Sequence, residues 1–225
     1  MTALLFDTET TGFNEPQVIE AAWLELESPA TLAVLGQFEQ RYKPSKPIDL
    51  GAMAVHHITD EELAACAPSS TFALPPGVQY LIGHNVDFDW KVIGQPPIKR
   101  ICTLALSRHL FPDIDSHTQS AMVYHFGRAR AKSMLKDAHS ALADVRNCRH
   151  VLRRLIAALA QPEAHAFTWE ELWQVSERAR IPTRMPYGKH KGMAIAELPA
   201  DYKAWLLRQT DVDAYLLQAL QGGAA

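Results

Sequence analysis

Apolar positions come in short runs through the first half of the chain, and most runs end at a turn signal. Ala3-Leu4-Leu5-Phe6 reads as a buried strand that stops at Thr11-Gly12. Gln17 to Glu27 and Ala33 to Tyr42 read as two more strands, with a turn at Ser28-Pro29-Ala30-Thr31, so the three form an antiparallel meander closed by Pro44 and Pro47. Between Ile48 and Ala65 the spacing is helical but broken. A short helix ends near His56-His57, and a second begins at Thr59, where Glu62 completes a capping-box pattern. Pro68 to Gly77 is a Ser/Pro-rich loop. Val78 to Gly83 is another buried strand, and it feeds through His84-Asn85 into a helix carrying Phe88, Asp89 and Trp90. A short strand over Ile98–Cys102, a helix over Thr103–Leu110 and a helix over Ser116–Phe126 follow. Helical spacing then runs from Asp137 to about Ala160.

Beyond that point the pattern changes. Gln161 to Ala166 reads as a linker, and Thr168 to Arg180 as a helix with a Thr cap and Glu171 three residues on. Tyr187 to Gly192 is a basic turn between two extended segments, and Ala200–Leu207 and Asp211–Leu220 are short helices. The expected organisation is a main domain over 1–160, a linker and helix over 161–182, and a small C-terminal module over 183–225.

Composition adds bounds. With 225 residues, 48% of them hydrophobic, the chain can bury a full core. No apolar run approaches the roughly 18 to 20 residues that span a membrane. The start, Met1 to Asp7, lacks the basic residues of a secretory signal. Cys66, Cys102 and Cys148 have no paired spacing, which points to a reducing, cytoplasmic setting and to no zinc site. A net charge of -3 conceals an asymmetry: residues 1–40 hold seven acids and no Lys or Arg, whereas 128–154 hold eight basic residues against Asp137 and Asp144. The acidic part suits cations and the basic part suits phosphates, unless the latter is an ordinary solvated helix face.

Asp7 and Glu9 are two apart on one strand and share a face. Like charges this close either stand in solvent or hold a cation. Glu20 either lines the same place or faces solvent from the second strand. Asp89, between Phe88 and Trp90, is costly to bury unless exposed or paired with a cation, whereas Asp87 suits the positive end of the helix dipole. His56 and His57 are adjacent and diverge on a helix, which favours substrate contacts over metal ligation. His109, His117 and His125 show no ligand pattern. His139 precedes Asp144 by five residues, off its helical face, so the two act together only if His139 sits in the preceding loop or first turn.

The set Asp7-x-Glu9, His84-Asn85-x-x-Phe88-Asp89 and His139-x-x-x-x-Asp144 resembles the three motifs of the DEDDh exonucleases, the DnaQ-like group within the ribonuclease H-like fold. The resemblance covers roughly residues 1–160. Val18-Ile19-Glu20, Val55-His56-His57-Ile58-Thr59 and Cys102-Thr103-Leu104 support it, although that family often has Gly in place of His57 and Asp in place of Cys102. It implies an α/β architecture, a mixed sheet with an antiparallel meander plus parallel strands, flanked by helices, with a small C-terminal appendage. The activity implied is metal-dependent 3′→5′ removal of nucleoside 5′-monophosphates from DNA, in repair or proofreading-type end processing. Two Mg²⁺ or Mn²⁺ ions would be held by Asp7, Glu9, Asp89 and Asp144, with Asp7 as the bridge, and His139 would be the general base. Thr10, Gly12, Phe13, His56 and Asn85 become substrate-binding candidates. Phe13 would be a base wedge or a core residue. Lys189, His190 and Lys191 are candidates for touching DNA in the tail. The partner would be DNA with a 3′ end, single-stranded or duplex, and no membrane; a homodimer stays open. Two alternatives remain: an exoribonuclease acting on short RNA or RNA ends, and a non-catalytic nucleic-acid or replication-partner module.

Overall fold

The computed structural model describes residues 2–161 and 165–222, so residues 162–164 of the expected linker lie outside it. Three strands pair in sequence as the meander requires: β1 (Thr2–Thr10), β2 (Val18–Leu26) and β3 (Val34–Lys43) are antiparallel neighbours. After α1 (Leu50–His56) come β4 (Ala67–Pro68), β5 (Val78–Gly83), α2 (Asp87–Val92) and β6 (Lys99–Cys102). β5 joins β1 in parallel, β6 joins β5 in parallel, and β4 joins β3, for a sheet order β4-β3-β2-β1-β5-β6. This is the mixed sheet that the motif pattern implied. Ala3 to Phe6 and Tyr80 to Gly83 are buried throughout, as central strands covered on both faces should be. A side chain at Gly83 would sit 3.0 Å from the Phe6 carbonyl and 3.2 Å from Val86, so glycine lets the end of β5 lie against β1.

Three helices follow: α3 (Thr103–Leu110), α4 (Gln119–Met134) and α5 (Ala141–Leu159). α5 buries Leu142, Val145, Val151, Leu152 and Leu155, and packs on β1, β2, α3 and α4. That stripe at helical spacing carries Asp144 onto the sheet.

Several elements differ from the sequence pattern. The helix expected from Thr59 is a run of turns. Thr59 N–H does donate to the Glu62 carboxylate at 2.8 Å, but Leu63, Ala64 and Cys66 each bond three residues back. The segment is tethered instead, since the Asp60 carboxylate accepts from Ile48 N–H and Leu63 is buried with Ile19, Ile48 and Ile58. The Ser/Pro loop gains the two-residue β4. α4 continues past Phe126 to Met134 across a non-helical Gly127. α5 starts at Ala141 rather than near Asp137, because His139 adopts a left-handed backbone (φ 70°) that ends helical geometry ahead of it.

The chain divides into two compact units, Met1–Ser176 and Glu177–Ala225. The division falls within α6 (Trp169–Arg180), not at either end of that helix. Thr168 caps α6 as its pattern predicts: Glu171 N–H donates to the Thr168 hydroxyl, and Thr168 N–H donates back to the Glu171 carboxylate. In the second unit Arg184 and Ala194 pair across a turn, followed by α7 (Ala200–Leu206) and α8 (Ala214–Leu220). Met185, Ile195, Leu198, Leu206, Leu216 and Ala219 form its own small core. Among the described residues no helix is long and apolar enough to cross a membrane.

Candidate active site

β1 is longer than its partner β5. The parallel ladder ends at Leu5 and Ile82, whereas β1 stays paired with β2 out to Thr10. The residues Asp7 to Thr10 therefore project past the carboxyl end of β5, the place where open α/β sheets gather ligands. Asp7 and Glu9 share a face, and α5 brings Asp144 to it. One carboxylate oxygen from each of Asp7, Glu9 and Asp144 lies within 4.8 Å of the others.

Gln119, which the sequence pattern did not single out, and the backbone of His139, which it did, hold Asp144 in place. Its Oδ1 accepts from Gln119 Nε2 at 3.0 Å and its Oδ2 from the His139 backbone N–H at 2.9 Å. Glu20 fixes the start of α5, accepting from Ala141 N–H at 2.9 Å and from Arg41 Nε at 2.8 Å. At 2% exposure Glu20 is not the solvent-facing strand residue that was one of its two readings.

Asp89 is also buried, at 4% exposure, and stands outside the three-oxygen cluster. Its Oδ1 accepts from the Thr8 N–H at 3.0 Å and the Thr8 hydroxyl at 2.7 Å. The choice between solvent and a cation therefore had a third answer. Beyond Leu5 the β5 side of β1 has no strand partner, and Asp89 satisfies Thr8 there. Asp87 lies in the first turn of α2, as expected, and also pairs with Arg100.

The remaining candidates divide. His139 is exposed in the loop just before α5, with a left-handed backbone. Asn85 is exposed too, with φ 67°. Gly12 has φ 142°, and a Cβ there would fall 2.0 Å from Asp49 Oδ2, so the turn after β1 needs glycine. Thr10 is buried, and its hydroxyl donates to the Gly12 carbonyl. Phe13 is 89% exposed with its ring edge-on to Phe88 at 5.7 Å, which overturns the core reading of Phe13. His56 is buried, and its Nδ1 accepts from Ile58 N–H at 3.0 Å, so it braces the loop and is not open to a passing substrate. His84 is another brace, between Thr103 Oγ1 and the His117 carbonyl. Burial pushes its imidazole down to about 4. In the second unit Lys189 and Lys191 are exposed on the turn.

The family model of the exonucleases (RNase T) matches residues 4–152. The chain belongs to the exonuclease family. This exonuclease is 27% identical over 212 residues to exodeoxyribonuclease 10 of Escherichia coli K12, covering 92% of this chain and 91% of that one. It is 28% identical over 163 residues to the PolC-type DNA polymerase III of Pediococcus pentosaceus, covering 66% of this chain and 11% of the polymerase. Among solved structures, it is similar to exonuclease X in complex with 5′ overhanging duplex DNA (TM-score 0.57, 23% identity, 76% of this chain and 99% of that one). It is also similar to the zinc-bound E. coli exonuclease I complex with single-stranded DNA (TM-score 0.59, 17% identity, 94% and 60%). At those identities the structures show the fold. The tail segments Met185 to Gly192 and Tyr202 to Leu206 resemble the tail of exodeoxyribonuclease X. Residues 178–214 match a second family model, described as a quorum-sensing-regulated virulence factor.

The exonuclease site is electrostatically strained without a cation. Burial, followed by the charges of Asp89, Asp144, Glu9 and Glu20, holds Asp7 well above the ordinary carboxylate range. Burial and the charge of Asp144 push Glu9 up to about 9, and burial raises Asp89 to about 7. Asp144 is raised by burial, against the opposing pull of the His139 N–H. Three converging carboxylates with no sulfur donor fit a hard divalent cation such as Mg²⁺ or Mn²⁺.

Proposed function

We propose that this exonuclease is a divalent-cation-dependent 3′→5′ exodeoxyribonuclease that releases nucleoside 5′-monophosphates, serving DNA repair or proofreading-type end processing. The observation that carries the reading is the convergence of Asp7, Glu9 and Asp144 beside the exposed His139. Asp7, Glu9 and Asp144 would hold the cations, with Asp89 as the fourth acid. The cations' contribution when bound is to lower the pKa of water and to offset charge building on the phosphodiester. The exposed His139 would take the proton of the attacking water. Asn85, exposed with a left-handed backbone, would receive the sugar end, and the exposed Phe13 ring would offer a face to the terminal base, whereas Thr10 and Gly12 are buried. The likeness to exodeoxyribonuclease 10 and to exonuclease X in complex with duplex DNA supports DNA as the substrate.

The test is digestion of 5′-labelled single-stranded DNA, duplex DNA and RNA with Mg²⁺ or Mn²⁺. The expected result is a DNA ladder that shortens stepwise while keeping its label. Release of the label as a mononucleotide at the outset would reverse the polarity. Degradation of RNA with DNA left intact would move the enzyme to the exoribonucleases, and loss of neither would leave a binding module.

A further inference from the structure

The second unit carries a feature that hydrolysis at the carboxylates does not require. Tyr202 and Trp205 are three apart on α7 and share a face, with ring centroids 5.5 Å apart and planes at 27°. The His190 ring, from the basic turn, lies 4.5 Å from Tyr202 with the two planes tilted by 60°. Gly188 makes this approach possible: its φ is +73°, and a Cβ there would lie 3.3 Å from the Tyr202 hydroxyl. The result is a row of three rings from the turn to the helix. Tyr202 packs partly on the small core, but Trp205 is 47% exposed and is no member of that core.

The turn beside the row is basic: Lys189 and Lys191 flank His190 and are exposed. Residues 177–222 hold seven Lys and Arg against five Asp and Glu, in a chain whose net charge is -3. The nearby acids are Asp201, Asp211 and Asp213. Asp213 caps α8 by accepting from Tyr215 and Leu216 N–H, and Asp211 lies toward Tyr187, which is not part of the row. Asp201 is exposed at the start of α7.

We propose that the His190–Tyr202–Trp205 row, with Lys189 and Lys191, is a second nucleic-acid site, which binds single strands by stacking bases on the rings and pairing phosphates with the lysines. Aromatic faces accept any base, and cations beside them follow the backbone, so such a site is sequence-tolerant and salt-sensitive. An apolar protein partner would have no use for the paired lysines.

The test uses the full chain in EDTA, so that nothing is cut, and a closed single-stranded DNA circle with an internal fluorophore. A circle has no 3′ end, so its binding does not depend on the proposed exonuclease reaction. Fluorescence anisotropy should show binding by the wild type, with affinity about tenfold weaker in Trp205→Ala, within the range of one lost base stack. Trp205→Phe should restore most of it. The double variant Lys189→Ala/Lys191→Ala should flatten the dependence of log affinity on log salt by about 1.4. Circular dichroism should match the wild type in all three. Wild-type affinity and salt slope in both the Trp205→Ala and the lysine variants would overturn the proposal and leave the surface to a protein partner. A loss in Trp205→Phe as large as in Trp205→Ala would overturn the stacking role.

Discussion

Asp7→Asn and Asp144→Asn should each abolish cation-dependent hydrolysis, a fall on the order of 10⁴-fold or more. Each removes one of the three carboxylates whose oxygens converge. Asp7 is the more informative. Its ionisation is opposed by burial and by four neighbouring acids, so the cation-free protein is destabilised by the very group that activity needs. Asp7→Asn keeps the shape, removes the charge, and should raise the melting temperature of the cation-free enzyme. The sign follows from the raised values. Unfolded carboxylates ionise near pH 4, whereas Glu9 in the folded site resists ionisation up to about 9. The folded state therefore binds more protons across that interval, and stability falls as pH rises through it. Neutralising Asp7 should accordingly help more at pH 8 than at pH 5. Activity lost together with melting temperature would instead mean that Asp7 is a structural residue.

His139→Ala should lower the rate by about 10² to 10⁴-fold, the usual worth of a general base. The position has two roles that must be separated. Its backbone is left-handed, and its N–H holds Asp144 Oδ2 at 2.9 Å. Alanine tolerates that backbone less well than asparagine does, and a shifted loop would disturb Asp144. His139→Asn therefore keeps the loop and removes only the imidazole. Both variants should be impaired near neutral pH and should recover part of the deficit as rising pH supplies hydroxide. An active His139→Asn beside an inactive His139→Ala would assign the residue to the loop rather than to proton transfer.

What could be read from the sequence follows from how local each signal is. Asp7 and Glu9 share a face because a strand alternates, and the apolar stripe of α5 dictates that Asp144 rides on the side that meets the sheet. His139 in a loop was required by simple helical arithmetic. The supports were not visible, because each joins residues far apart in the chain. Thr8 meets Asp89 across 81 positions, Ala141 meets Glu20 across 121, and Gln119 meets Asp144 across 25. Nothing in the spacing of Gln119 marks it. Glu20 could be flagged as an acid interrupting an apolar strand, but its burial depends on Arg41 and on the start of α5. His56 misled in the same way: it sits in a motif segment, and it is spent on bracing the loop.

The central claim, that these carboxylates form a divalent-cation site, is tested most directly by calorimetric titration of Mn²⁺ into the cation-free enzyme at pH 7.5, in two buffers of different ionisation enthalpy. Saturable binding is expected, with a heat that differs between buffers because Glu9, near 9, must give up its proton when the cation enters. Asp7→Asn should abolish or sharply weaken that binding. A wild-type enzyme that takes up no Mn²⁺, or an Asp7→Asn variant that binds it just as tightly, would contradict the claim.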